Sequence, residues 1–138
     1  MADSLKGVYV LVIQVSAPIK VKVGALGELC FNQGLYAYVG SAQNNLELRV
    51  ARHLRRDKKL FWHVDYLLSD PAAEVVDAFY KTGGKTEECR VAEQIAANGC
   101  EPLEGFGCSD CQCISHLYRI QDASFLRQAM QHLKTPQT

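Results

Sequence analysis

Our prediction of the fold starts from the apolar run Gly7-Val8-Tyr9-Val10-Leu11-Val12-Ile13-Gln14-Val15, near the start of the chain. The run is nearly continuous and rich in valine, which is typical of a central β-strand. A second apolar run, Leu35 to Ser41, also predicts a strand. Each run carries a short tyrosine motif, Gly7-Val8-Tyr9 in the first and Tyr38-Val39-Gly40 in the second. The two strands therefore anchor the interpretation of the remaining chain.

The segment between these strands, about residues 17–34, predicts an inserted β-hairpin. Ile19 to Val23 alternates apolar and polar residues with period two, as a half-exposed strand does. Gly24 to Gly27 predicts a turn, and Glu28 to Phe31 is the expected return strand.

Helical periodicity follows the second strand. Leu46 to Lys58 predicts a helix with Asn44 or Asn45 as its cap, and Leu46, Val50 and Leu54 recur every four residues as its core stripe. The further elements predicted are a helix at Phe61–Leu68, a strand at Glu74–Tyr80, a helix at Glu87–Ala97 capped by Thr86, a strand at His116–Gln121 and a helix at Ala123–Lys134. This order predicts an α+β fold with a small, mostly antiparallel sheet flanked by helices. A length of 138 residues predicts a single domain, 1–138.

Charge is unevenly distributed in this chain. The formal net charge is zero, which disfavours a uniformly basic nucleic-acid-binding domain. Residues 49–59 nevertheless hold six of the 15 Lys and Arg residues, against the single acid Asp57. The candidates for nucleic-acid contact are Arg52, Arg55, Arg56, Lys58 and Lys59. The alternative is a basic surface that serves solubility alone.

Composition favours a folded cytoplasmic protein. The chain is 48% hydrophobic and 22% charged, as globular domains are. The apolar run Val8 to Val15 is too short to span a bilayer and contains Gln14, so we expect no membrane association and no targeting segment. In the cytoplasm the six cysteines should be reduced thiols.

A cysteine-rich loop, about residues 105–116, is a possible zinc site. Its potential ligands are Cys108, Cys111, Cys113 and His116. They are packed more closely in sequence than the two separated ligand pairs of most structural zinc sites. The alternative is a loop of buried reduced thiols in which His116 begins a strand.

Glu88 lies on a predicted buried helix face. Val91, Ala92 and Ile95 define that face, and Glu88 falls in its middle. An ionised carboxylate is costly there unless it is paired or binds a metal ion. The alternative is a first-turn acid that faces water and the helix dipole, which fits Glu87 better.

Arg49 and His53 stand four residues apart and project from one helix face. An arginine can bind a scissile phosphate, and a histidine can transfer a proton. The alternative is a solvated basic face. Tyr9 and Tyr38 are ambiguous alone, because tyrosine is common in strands and Tyr36 lies on the same strand face as Tyr38.

Taken together, these motifs resemble the GIY-YIG nuclease superfamily. Its two motifs correspond to Gly7-Val8-Tyr9 and Tyr38-Val39-Gly40, and its catalytic arginine, branch-specific histidine and metal-binding glutamate to Arg49, His53 and Glu88. The whole chain, with Trp62 to Leu68 and Gly105 to His116, is similar to a compact stand-alone branch found in archaea and some bacteria. It departs from the common pattern in the inserted hairpin and in lacking a well-placed asparagine after Glu88.

The resemblance implies an endonuclease that hydrolyses DNA phosphodiesters with Mg²⁺ or Mn²⁺. Glu88 would hold the ion, Tyr9 would orient or deprotonate the attacking water, and Arg49 would neutralise charge on the phosphate. Tyr38 and His53 would hydrogen-bond around them. The expected partners are DNA, branched or damaged in a structure-specific or repair-linked role, and a protein that supplies specificity. Two alternatives stay open, a non-catalytic nucleic-acid-binding module and a zinc-stabilised interaction domain.

Overall fold

The structure is a computed structural model that describes residues 6–42, 45–55, 63–83, 86–98, 100–103 and 115–133. The strands are β1 (Gly7–Val15), β2 (Ile19–Lys22), β3 (Glu28–Phe31), β4 (Gly34–Ala42), β5 (Ala73–Thr82), β6 (Glu101–Pro102), β7 (Leu117–Ile120) and β8 (Gln131–His132). The helices are α1 (Leu46–Leu54), α2 (His63–Leu68), α3 (Thr86–Ala97) and α4 (Ser124–Ala129). The predicted α+β class is confirmed.

The sheet is antiparallel and has the strand order β6-β7-β4-β1-β5-β8. β1 lies near its middle, between β4 and β5, because almost all of its side chains are apolar and can be buried on both faces. Tyr9, Leu11 and Ile13 pack on the face that α1 and α2 cover. Val8 and Val10 pack on the opposite face, against α3 and α4.

The predicted hairpin is present as a separate two-stranded sheet of β2 and β3. It packs against the α2 side of the core through partly buried side chains such as Ile19 and Val21. The insertion therefore lengthens the core at one end and leaves the pairing of β1 with β4 unbroken from Gly7 to Val15.

The first helix is shorter than predicted. α1 ends at Leu54, and Arg55 is already extended. Its buried residues are Leu46, Val50 and His53, so the predicted stripe is wrong at Leu54, which is only half-buried. Asn45 precedes the helix in a left-handed conformation and makes no side-chain capping bond.

The predicted closing helix is wrong beyond Ala129. α4 ends there, and the chain enters β8, which pairs with the edge of β5. Three contacts hold the end of the chain against β5: the Leu133 N–H donates to the Ala78 carbonyl at 2.9 Å, and Asp77 pairs with both Arg127 and His132. Long-range pairing to β5 thus outweighs the local helical pattern.

No helix in the part of the chain that the structure describes is long and apolar enough to cross a membrane.

Candidate active site

The two glycine-tyrosine motifs have a steric explanation. Pairing of β1 with β4 sets Tyr9 opposite Gly40, and the phenol ring lies across that glycine. A Cβ on Gly40 would lie 2.5 Å from the Tyr9 hydroxyl oxygen. Gly7 has a φ of 146°, and a Cβ there would lie 2.2 Å from the Lys81 carbonyl oxygen. Gly40 is therefore needed to make room for the Tyr9 ring, and Gly7 for the close approach of β1 to β5.

Tyr9, Tyr38 and His53 lie together on the α1 side of the sheet. The Tyr9 hydroxyl lies 2.8 Å from His53 Nε2, and both side chains are buried. The ring centroids of Tyr38 and His53 are 6.1 Å apart, at a steep angle. Tyr36 lies elsewhere, since its hydroxyl donates to the Asn32 carbonyl near the hairpin. Tyr38 rather than Tyr36 thus belongs to this cluster.

Asp65 on α2 also belongs to the site, and the sequence analysis missed it. Its side chain is fully buried, and its two oxygens accept from Arg52 at 3.1 and 3.2 Å. Asp65 Oδ1 also lies 3.7 Å from His53 Nδ1. Asp65 follows Val64 and precedes Leu67 on the buried face of α2, so the reasoning applied to Glu88 would have found it.

The Arg52 guanidinium is therefore held by a carboxylate within the protein. Its contact with Asp65 joins α1 to α2 and fixes the turn of α1 that carries His53. Arg55 is exposed at the end of α1, whereas Arg56, Lys58 and Lys59 lie outside the described residues. The predicted nucleic-acid-binding role of all five cations stays a prediction.

Arg49 lies beside Tyr9 and the end of β4. Its Nη1 donates to the Ser41 carbonyl at 3.2 Å, and the side chain is half-buried. Burial raises the pKa of Tyr9 well above its ordinary value, while the charge of Arg49 and its hydrogen bond act in the opposite direction. Burial also raises the pKa of Tyr38. Both tyrosines are thus neutral phenols at neutral pH.

The tautomer of His53 follows from this arrangement. Nδ1 faces the Asp65 carboxylate, which favours a proton on that nitrogen. Nε2 is then an acceptor, and the neutral Tyr9 hydroxyl donates to it. The order Tyr9, His53, Asp65 is a chain of polar groups that runs from the sheet into the α1–α2 interface.

Glu88 lies on the buried side of α3, as predicted. It is 8% exposed, and its Oε1 lies 3.7 Å from His116 Nε2. Its charge contributes to the raised pKa values of Tyr9 and Tyr38, so it lies within electrostatic reach of both phenols. Glu87 instead faces outward and pairs with Lys81 at 3.4 Å and Arg90 at 3.3 Å.

The donor set suits a metal ion that takes few protein ligands. Mg²⁺ sites typically use one or two carboxylates, with waters and substrate phosphate oxygens completing the shell. Within the described ranges, no group of three or more His, Cys, Asp or Glu side chains could hold a metal ion by itself. Glu88 could serve as the single carboxylate of such a Mg²⁺ site. Asp65 is a poorer candidate, because both of its oxygens already accept hydrogen bonds from Arg52.

The cysteine predictions have a mixed outcome. Cys108, Cys111 and Cys113 lie outside the described residues, so the zinc site stays a prediction, and its fourth member His116 lies against Glu88. Cys89 is disulfide-bonded, so the prediction of six reduced thiols is wrong there. Cys30 and Cys100 are free.

Comparison with known proteins identifies a family without naming an activity. The chain matches the family model described as "Domain of unknown function DUF123" over residues 8–136, and it therefore belongs to that family. No curated protein and no solved structure matches. The resemblance to GIY-YIG nucleases stays a prediction that rests on the motifs.

Proposed function

We propose that this member of the DUF123 family is a divalent-metal-dependent DNA endonuclease. One observation carries the proposal. β1, β4 and α1 bring Tyr9, Tyr38, Arg49 and His53 together, and Glu88 on α3, more than 30 residues further along the chain, lies within electrostatic reach of both tyrosines. A cation for the phosphate, a carboxylate for a metal ion and a chain of proton-transfer groups are what phosphodiester hydrolysis needs.

In this proposal Glu88 binds the metal ion and Arg49 stabilises the negative charge of the phosphate. Glu88 would hold the Mg²⁺ or Mn²⁺ ion, which when bound supplies a Lewis acid for a phosphate oxygen. Arg49 carries a positive charge beside Tyr9 and can neutralise the charge that develops on the phosphate. Ser41 holds Arg49 through its carbonyl, so the guanidinium is positioned before any substrate arrives.

In this proposal Tyr9 positions the attacking water and relays a proton from the water to His53. A neutral Tyr9 that donates to His53 Nε2 still has oxygen lone pairs that can accept a hydrogen bond from water. As the water attacks, its proton moves to the Tyr9 oxygen, and the phenol proton moves to His53 Nε2. The Asp65 carboxylate stabilises the resulting imidazolium. Tyr9 thereby acts without becoming a phenolate, which its burial disfavours.

Paired substitutions at Tyr9 and Arg49 test this division of roles. Tyr9→Phe removes one oxygen and keeps the ring, so we expect cleavage of plasmid or branched DNA to slow by about a hundredfold or more, with unchanged DNA affinity. Arg49→Ala removes a phosphate contact as well, so it should slow cleavage and also weaken binding and its dependence on salt. Rates come from gel assays with Mg²⁺ or Mn²⁺, and affinities from fluorescence anisotropy without metal.

Two variants outside the cluster serve as matched controls. Tyr36→Phe removes a hydroxyl that donates to the Asn32 carbonyl near the hairpin, and Arg90→Ala removes an exposed arginine on α3. Both should cleave like the parent. If Tyr9→Phe and Arg49→Ala do so too, the assignment of the site is wrong. If the parent binds DNA yet cleaves no linear, flapped or branched substrate with either metal, the binding-module alternative replaces the nuclease.

A further inference from the structure

We propose that His116 is a second protein ligand of the ion at Glu88, and that this nitrogen donor makes the site favour Mn²⁺ over Mg²⁺. The proposal rests on the proposed function for one point, that Glu88 holds an ion. It goes further in assigning a ligand and a metal preference.

The separation of the two donor atoms suits a shared ion. Glu88 Oε1 and His116 Nε2 lie 3.7 Å apart, which exceeds the roughly 2.7–3.2 Å of a direct hydrogen bond. Consider two ligand atoms that each lie about 2.1 Å from one ion. If the ligand–ion–ligand angle is about 90–120°, the two ligand atoms lie roughly 3.0–3.6 Å apart. The observed distance is therefore close to that of two donors that share an ion.

Hydrogen bonds fix the backbone around His116. The His116 carbonyl accepts the Val39 N–H at 2.8 Å, which ties the residue to β4 beside Tyr38. The neighbouring Ser115 is fully buried, and its Oγ accepts the Leu117 N–H at 2.9 Å. An imidazole on such a rigid base can serve as a preorganised ligand.

Both side chains are largely buried. The Glu88 and His116 side chains are 11% and 4% exposed, so their shared space has little contact with bulk water. Removing a carboxylate from water is costly unless a positive charge compensates it. A divalent ion between the oxygen and the nitrogen would supply that charge.

The metal preference follows from donor chemistry. Mg²⁺ is a hard ion that takes oxygen ligands almost exclusively and keeps several waters. Mn²⁺ also accepts carboxylate and water, yet it binds such sites more readily when a nitrogen donor is present. A site made of Glu88 alone would distinguish the two ions weakly, whereas Glu88 with His116 should favour Mn²⁺.

The direct test is pulsed electron paramagnetic resonance of Mn²⁺ added to the parent protein. We expect an electron spin echo modulation from a coordinated ¹⁴N nucleus, because His116 Nε2 would be bound to the ion. Mn²⁺ affinity, measured from the signal of free Mn²⁺, should weaken about tenfold or more in His116→Ala. Mg²⁺ affinity, measured by competition, should change by less than threefold. His132→Ala is the control, because that exposed histidine pairs with Asp77 at the far edge of the sheet.

Three results would overturn the assignment of His116 as a ligand. Absence of ¹⁴N coupling, absence of Mn²⁺ binding by the parent, or equal weakening of Mn²⁺ and Mg²⁺ in His116→Ala would overturn the proposal. If His116→Ala does not fold by circular dichroism, the ¹⁴N coupling of the parent decides alone. Coupling in a protein that cleaves no DNA would uphold this ligand assignment and reject the nuclease, whereas cleavage without coupling would do the reverse.

Discussion

Gly40 has no room for a side chain, because the Tyr9 ring lies across it. In Gly40→Ala the new methyl group would have to push the phenol away from His53. We expect the free energy of unfolding to fall by about 1–3 kcal/mol, which is the usual cost of overpacking a tight contact. Urea denaturation measures it, and Ser41→Ala, which shortens a side chain on the same strand, is the control. Equal stability of the two variants would show that the contact between ring and glycine is not tight.

Single residues differ in how far the sequence predicts them. Glu88 was predicted to be buried because its apolar neighbours lie on the same helix. The spacing of apolar residues along a helix indicates which of its positions face the core. Tyr9 was ambiguous apart from its motif, since its contacts come from Gly40 on another strand and His53 on a helix. His116 was predicted as a zinc ligand, and nothing local indicated that it would lie against Glu88.

At the scale of elements, the contact between Arg52 and Asp65 joins α1 to α2 and supports His53. Removal of either partner leaves a largely buried charge, so we expect Arg52→Ala and Asp65→Asn each to lower the free energy of unfolding by about 3 kcal/mol. The double variant should lose less than the sum of the two, by about 1 kcal/mol or more. Chemical denaturation of the four proteins measures this coupling.

A second double-mutant cycle provides the comparison. Lys20 and Glu28 form an exposed ion pair at 3.8 Å on the hairpin, and such pairs contribute little. Their coupling should be about 0.5 kcal/mol or less. Strictly additive effects of Arg52→Ala and Asp65→Asn would mean that the two side chains do not act as a unit and that α2 is held by its apolar contacts alone.

The elements themselves were predicted best where local pattern and burial agree. The bounds of β1 match the prediction because its apolar residues meet core on both faces. The end of α1 and the change from α4 to β8 were missed. The first depends on the extended backbone of Arg55, and the second on pairing with the edge of β5. The local pattern of apolar residues indicates neither the end of α1 nor the start of β8.

At the scale of the whole molecule, the candidate site depends on strand order. β7 pairs with β4, and α3 packs against β1 and β4, which together bring His116 to Glu88. The sequence predicted an α+β sandwich but no register or order beyond the hairpin, so it could name the cluster's residues only through a family resemblance. Geometry supplies what that resemblance did not: Asp65 behind His53, and His116 beside Glu88.

The most direct measurement of the central claim is metal-dependent cleavage of plasmid and branched DNA by the parent, Glu88→Gln and Glu87→Gln. The two variants make the same chemical change at neighbouring positions of α3, one buried against His116 and the other paired with Lys81 and Arg90. We predict that the parent and Glu87→Gln cleave with Mg²⁺ or Mn²⁺, and that Glu88→Gln keeps its fold and loses cleavage, because the ion would lose its carboxylate. Full cleavage by Glu88→Gln, or none by the parent with either metal, would contradict the account.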